Sequence, residues 1–168
     1  MEAMIVLGID PGTATTGFGV LRVEGSRIRP IDVGVLLTHT KDPMPQRLLS
    51  IYEGLNTLID TYRPDTVGIE KLFFGRNTTN AIPVARAAGV VFLTIAQRGL
   101  HWAEYTPMQV KLAVTGQGGA EKQQVQYMVT RLLGLSEVPK PDDAADALAV
   151  AVCHAHSFKL GSLGIKTV

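Results

Sequence analysis

Cysteine is almost absent: Cys153 stands alone among 168 residues, so no disulfide can form within the chain. It lies in an Ala/Val stretch and reads as a buried, inert thiol. Charge is sparse too, at 18% of residues, against roughly 25% in an average soluble domain. The formal net charge of +1 excludes a histone-like polycation and an acidic tail, though not a local basic patch. No basic segment followed by a short apolar run opens the sequence, so a secretion signal is not expected and a cytoplasmic location is. The longest apolar stretch, Ala81 to Ala96, is broken by Pro83 and Arg86. It falls short of the ~20 clean residues that a membrane span needs. No Cys/His spacing suggests zinc, since His154 and His156 are two apart and point in different directions on a helix. Repeats and low-complexity segments are missing as well.

What is present is a hydrophobic fraction of 46%, enough for one sizeable core. One domain is expected over residues 1–157, with a frayed tail over 158–168. Met4–Ile9, Phe18–Val23 and Ile28–Leu37 read as strands joined by tight turns, hence an antiparallel meander. Pro45 opens a helix whose apolar residues Leu48, Ile51, Tyr52, Leu55, Leu58, Ile59 and Tyr62 recur every three or four positions, until Pro64 stops it. Thr66–Ile69 forms a short strand ending at Glu70. A helix near Thr79–Arg98 is apolar around most of its circumference, so it needs a second partner beyond one sheet face. A strand at Leu100–Tyr105 and helices from Pro107, Ala120 and Asp142 complete a mixed sheet with helices on both faces. The last helix is expected to end near His156.

Several carboxylates sit in apolar surroundings. Asp10 and Glu70 each end a strand, and Asp142, Asp143 and Asp146 open an Ala/Leu/Val helix. Singly, each has an ordinary explanation as a turn, strand-end or helix-start residue. Asp146 is harder to dismiss, because no basic residue lies three or four positions from it. Helical spacing lets it pair with Asp143 or with Asp142 and does not choose between them. Converging carboxylates would repel one another without cations. An oxygen-only donor set suits Mg²⁺ or Mn²⁺, and two such ions can clamp the oxygens of a phosphodiester displacement.

Four blocks then stand in order: Gly8-Ile9-Asp10-Pro11-Gly12, Ile69-Glu70-Lys71-Leu72-Phe73-Phe74, Pro107-Met108-Gln109-Val110-Lys111, and Ala120-Glu121-Lys122 onward to Asp143-Ala144-Ala145-Asp146-Ala147-Leu148-Ala149. Together they resemble the RuvC family of Holliday-junction resolvases over nearly the whole chain. The resemblance implies a ribonuclease-H-like α/β fold with a mixed five-stranded sheet whose first three strands are antiparallel. It implies a crossover junction endodeoxyribonuclease in recombination and DNA repair, with Asp10, Glu70, Asp143 and Asp146 binding two Mg²⁺ ions (Mn²⁺ as substitute) and Asp142 as a neighbour. It further implies paired symmetric nicks leaving 5′-phosphate and 3′-hydroxyl ends. Lys122 would stand near the scissile phosphate, Lys111 would contact DNA, and Phe73 would stack on or wedge between bases. Arg76 and Asn77 are candidate phosphate contacts. The implied partners are four-way junction DNA, a second copy in a homodimer meeting near the Ala81–Ala96 helix, and the RuvA–RuvB branch-migration motor.

A kinase- or chaperone-type ATPase also opens with Gly-Ile-Asp-x-Gly-Thr, but it needs a second such domain that this length does not hold. A junction-binding module without activity would not need four carboxylates. A related nuclease acting on RNA or other branched DNA remains an alternative. Residues 71–140 hold 8 basic and 3 acidic side chains, so phosphate contacts are expected there.

Overall fold

The computed structural model describes residues 2–71 and 81–162. Strands β1 (Met4–Asp10), β2 (Thr15–Glu24) and β3 (Arg27–Leu37) form the antiparallel meander, turned at Gly25 with φ +57°. Helix α1 (Met44–Tyr62) follows, then β4 (Thr66–Glu70), α2 (Ala81–Arg98), β5 (His101–Tyr105), α3 (Pro107–Thr115), α4 (Lys122–Leu132) and α5 (Asp142–Ser162). The sheet order is β3-β2-β1-β4-β5, with β4 parallel to both β1 and β5. Pro30 sits on the edge strand β3, where the lost ladder donor is tolerated, beside a register shift at Val20/Leu21.

Alternation along the strands divides the core in two. Leu7, Ile9, Phe18, Val20, Val67 and Ile69 face α1 and α2, meeting Ile51, Leu55, Ala87, Val91 and Ile95. Val6, Leu21 and Val23 face the other way, toward α3, α4 and α5. Helices therefore cover both faces, as the sequence implied.

Helix α5 is the centre of that second layer, buried along nearly all of Ala144–Ala155. It lies unusually close to the sheet. A Cβ on Gly8 would come within 2.3 Å of the Ala147 carbonyl oxygen, and one on Gly19 within 2.8 Å of the Leu148 Cα. The helix runs to Ser162, past the expected end near His156, so residues 158–162 of the expected tail are helical. Helix α4 starts at Lys122 rather than Ala120, with Glu121 as its cap residue.

Helix α2 is the one helix among the described residues that by length and composition could cross a membrane. Its Ala87, Val91 and Ile95 instead lie in the core. Ile82 and Leu93 remain exposed among the described residues, which supply only part of the cover that this apolar helix requires.

Candidate active site

The parallel register Ile9↔Ile69 sets the next residues, Asp10 and Glu70, side by side at the C-terminal ends of neighbouring strands. Both are on the α5 face of the sheet, since Gly8 and Gly68, two residues earlier, lie under α5. The chain leaves β1 through Pro11 and Gly12, where the Thr16 hydroxyl donates to the Gly12 carbonyl at 2.7 Å. Thr13 donates to the Pro83 carbonyl and accepts, through its own carbonyl, from the Thr38 hydroxyl at 2.6 Å. The turn behind Asp10 is thus tied to α2 and to the end of β3.

The helix supplies the remaining acids. Gly17 is the residue directly opposite Asp10 in the β1/β2 ladder. A Cβ there would sit 1.9 Å from the Asp143 carbonyl oxygen, so this glycine lets the first turn of α5 descend onto the strand pair. Carboxylate oxygens of Asp10, Asp143 and Asp146 consequently lie within 4.8 Å of one another. Glu70 is outside that group of three, yet within hydrogen-bonding reach of Asp10.

Electrostatics follow from the crowding. Burial pushes the Asp10 carboxyl far above the usual carboxylate range, and Glu70, Asp146 and Asp143 push it further. Asp146 is raised by burial as well, with Lys122 pulling against the rise. The Lys122 ammonium stands 3.3 Å from Asp146 Oδ2 and 3.2 Å from Asp142 Oδ2. Burial lowers its basicity, but the two aspartates outweigh that and hold its pKa above the ordinary value. Lys122 therefore stands beside a group of acids that repel one another.

Beside the acids opens a cavity of about 210 Å³, lined by Glu70, Asp146, Lys111 and Lys122 with Pro107, Val110, Val125 and Ala149 as apolar walls. Helix α3 is fixed there by a reciprocal cap, in which Thr106 Oγ1 accepts from Gln109 N–H and Gln109 Oε1 accepts from Thr106 N–H.

The structure thus gathers Asp10, Glu70, Asp143, Asp146, Lys111 and Lys122 at one end of the sheet. Phe73, Arg76 and Asn77 lie outside the described residues. Spacing alone left Asp142 and Asp143 equivalent. One residue step turns a helix by about 100°, which aims Asp143 at Asp10 and Asp142 at α4. There Asp142 also accepts from Gln126 Nε2 at 3.1 Å. Gln126 carries no sequence signal of this role, because the pairing crosses two helices.

The donor set fits a divalent cation. It consists of carboxylate oxygens with no sulfur or imidazole among them, held by β1 and α5, with Glu70 of β4 beside them. Asp10 is forced toward its neutral form when no cation offsets its neighbours.

Known proteins resemble this chain in sequence and fold. The family model for crossover junction endodeoxyribonuclease RuvC matches residues 6–154. The crossover junction endodeoxyribonuclease RuvC of Syntrophomonas wolfei is 54% identical over 159 residues, 95% of this chain and 92% of that one. That of Desulfitobacterium hafniense is 55% identical over 157 residues, 94% of this chain and 95% of that one. The structure of T. thermophilus RuvC in complex with Holliday junction substrate superposes with a TM-score of 0.89 at 38% identity, covering 95% of this chain and 97% of that one. The yeast mitochondrial Holliday junction resolvase Ydc2 shares the fold, at a TM-score of 0.65 and 15% identity over 88% of this chain and 76% of that one. By sequence along its length and by a fold that gathers carboxylates from two strands and a helix, the chain belongs to the crossover junction endodeoxyribonuclease RuvC family.

Proposed function

We propose that this protein cuts four-way junction DNA by metal-dependent phosphodiester hydrolysis, placing symmetric nicks that leave 5′-phosphate and 3′-hydroxyl ends. The observation that carries the reading is the convergence of Asp10, Asp143 and Asp146 within 4.8 Å, with Glu70 against Asp10. Asp10, Asp143 and Asp146 would hold the cations, with Glu70 completing the set. Two Mg²⁺ ions, or Mn²⁺ in their place, supply a more acidic attacking water and a counter-charge for the departing oxygen when bound.

The chain's own residues bind and aim the DNA. Lys122 offers a compact positive charge beside the acids, at the place for a scissile phosphate. Lys111, on the same cavity wall, holds a neighbouring phosphate. The apolar wall of Pro107, Val110 and Val125 limits water around the reacting group. Phe73 stacks on a base near the exchange point, with Arg76 and Asn77 on phosphates.

Two active sites cut two strands, which calls for a symmetric dimer. The exposed Ile82 and Leu93 of α2 suit an apolar contact with a second copy. A cytoplasmic enzyme beside the RuvA–RuvB motor completes this reading.

The test is a synthetic four-way junction with Mg²⁺, set against linear duplex and RNA–DNA hybrid. Paired nicks on the junction alone support the proposal, and cutting of the hybrid or of nothing rejects it. Asp10→Asn is expected to bind junction without cutting it. Leu93→Glu is expected to be monomeric in light scattering, and a dimer there moves the interface elsewhere.

A further inference from the structure

We infer that Asp142 is a positioning residue that keeps Lys122 aimed into the site when Asp146 is engaged by a cation. The inference rests on the role of Lys122 given above.

Four side chains make the arrangement. Lys122 and Gln126 lie one turn apart on α4, and Asp142 and Asp146 lie one turn apart on α5. Lys122 bridges both aspartates, at 3.2 and 3.3 Å, through their Oδ2 atoms. The other oxygen of Asp142 accepts from Gln126. Asp142 is thus held at both oxygens and turned toward α4, outside the group of three acids.

The two partners of Lys122 are unequal. Asp146 lies among the candidate cation ligands, and a cation there competes with the ammonium for its lone pairs. Asp142 has no such competitor. Without it, a half-exposed lysine on a flexible four-carbon stem is left with Asp146 alone. It then either swings into solvent or opposes the cation. Asp142 keeps one ammonium proton occupied and leaves the others free for a phosphate oxygen.

A bystander aspartate predicts something different. Removing a negative charge near DNA strengthens binding and leaves cleavage unchanged or faster. The positioning role predicts equal or tighter binding together with slower cutting.

The experiment is single-turnover cleavage of a four-way junction by the full-length protein, with junction affinity measured separately in Ca²⁺. Asp142→Asn is expected to cut about three- to fivefold more slowly, the scale of one exposed ion pair, with no loss of affinity. Asp142→Glu, which restores the charge, is expected to recover most of the rate. In a Lys122→Ala background, Asp142→Asn is expected to have no further effect. The proposal is overturned if Asp142→Asn cuts at the wild-type rate while Lys122→Ala is slow, or if the loss persists undiminished without Lys122. Wild-type cutting by Lys122→Ala overturns the role of the lysine itself, a separate and recognisable failure.

Discussion

Replacing Gly17 by alanine adds one methyl group and should disable the site. The new carbon would lie 1.9 Å from the Asp143 carbonyl oxygen, 2.5 Å from its carbonyl carbon and 3.2 Å from the Ala144 nitrogen. These are backbone atoms of a helix and cannot swing aside as a side chain would. Restoring ordinary contact requires the start of α5 to lift by about 1.5 Å, because a packed interior has no free space to absorb the difference. Overpacking of this kind costs about 1–3 kcal/mol, which a domain of this size survives. The reaction is less forgiving, since a misplacement of about 1 Å at a reacting group lowers rates on the order of a hundredfold. Asp143 rides on the displaced turn, while Asp10 stays on the sheet. Urea unfolding and single-turnover junction cleavage separate the two effects. The expectation is a cooperative, modestly destabilised protein with a rate down by about two orders of magnitude. A folded Gly17→Ala protein that cuts within threefold of wild type would refute the idea that close docking of α5 sets the acid geometry.

Two further predictions concern charge. Asp10→Asn should raise the melting temperature of the metal-free protein at neutral pH. The Asp10 carboxyl is raised in the folded state, so folding favours its protonated form, and that stability is lost as pH rises past its unfolded value of 3.8. The amide keeps the neutral form at every pH, and an unchanged or lower melting point contradicts the assignment. His154 works in the opposite sense. It is 2% exposed, between Thr66 Oγ1 and the Tyr105 hydroxyl at 2.7 Å each, and burial pulls its pKa from 6.5 down to about 4. Its contribution is complete above pH 6.5 and is lost as pH falls toward 4, a difference of about 3 kcal/mol. Urea midpoints between pH 7 and 4.5 should fall more steeply for wild type than for His154→Gln, and parallel slopes would sink the argument.

Much of the fold was legible because it is local. The meander followed from three apolar runs and a Gly25 turn, and α1 from its spacing. The helical layers on both faces followed from the alternation of strands and helices. Insertion of β4 beside β1 was not legible in periodicity, since a parallel neighbour is chosen by distant packing. The site divides in the same way. Strand-end positions marked Asp10 and Glu70, and an apolar helix marked Asp146. The choice between Asp142 and Asp143 needed either family resemblance or the orientation of α5 over Gly17. Lys122 as the counter-charge to Asp146 was invisible locally, because its partner lies on another helix. The sequence placed the end of α5 near His156, whereas the helix persists to Ser162.

The close seating of α5 on β1 and β2 also orders events during synthesis. The ribosome releases the meander before the helix that covers it. Until α5 emerges, the Val6, Leu21 and Val23 face of the sheet has lost its largest apolar partner, an exposure that invites association with other chains or chaperones. The same delay has a protective side. Asp10 is made early, but Asp143 and Asp146 arrive only with α5. A nascent or truncated chain therefore carries no complete acid cluster, and cutting power appears only when the whole domain has closed.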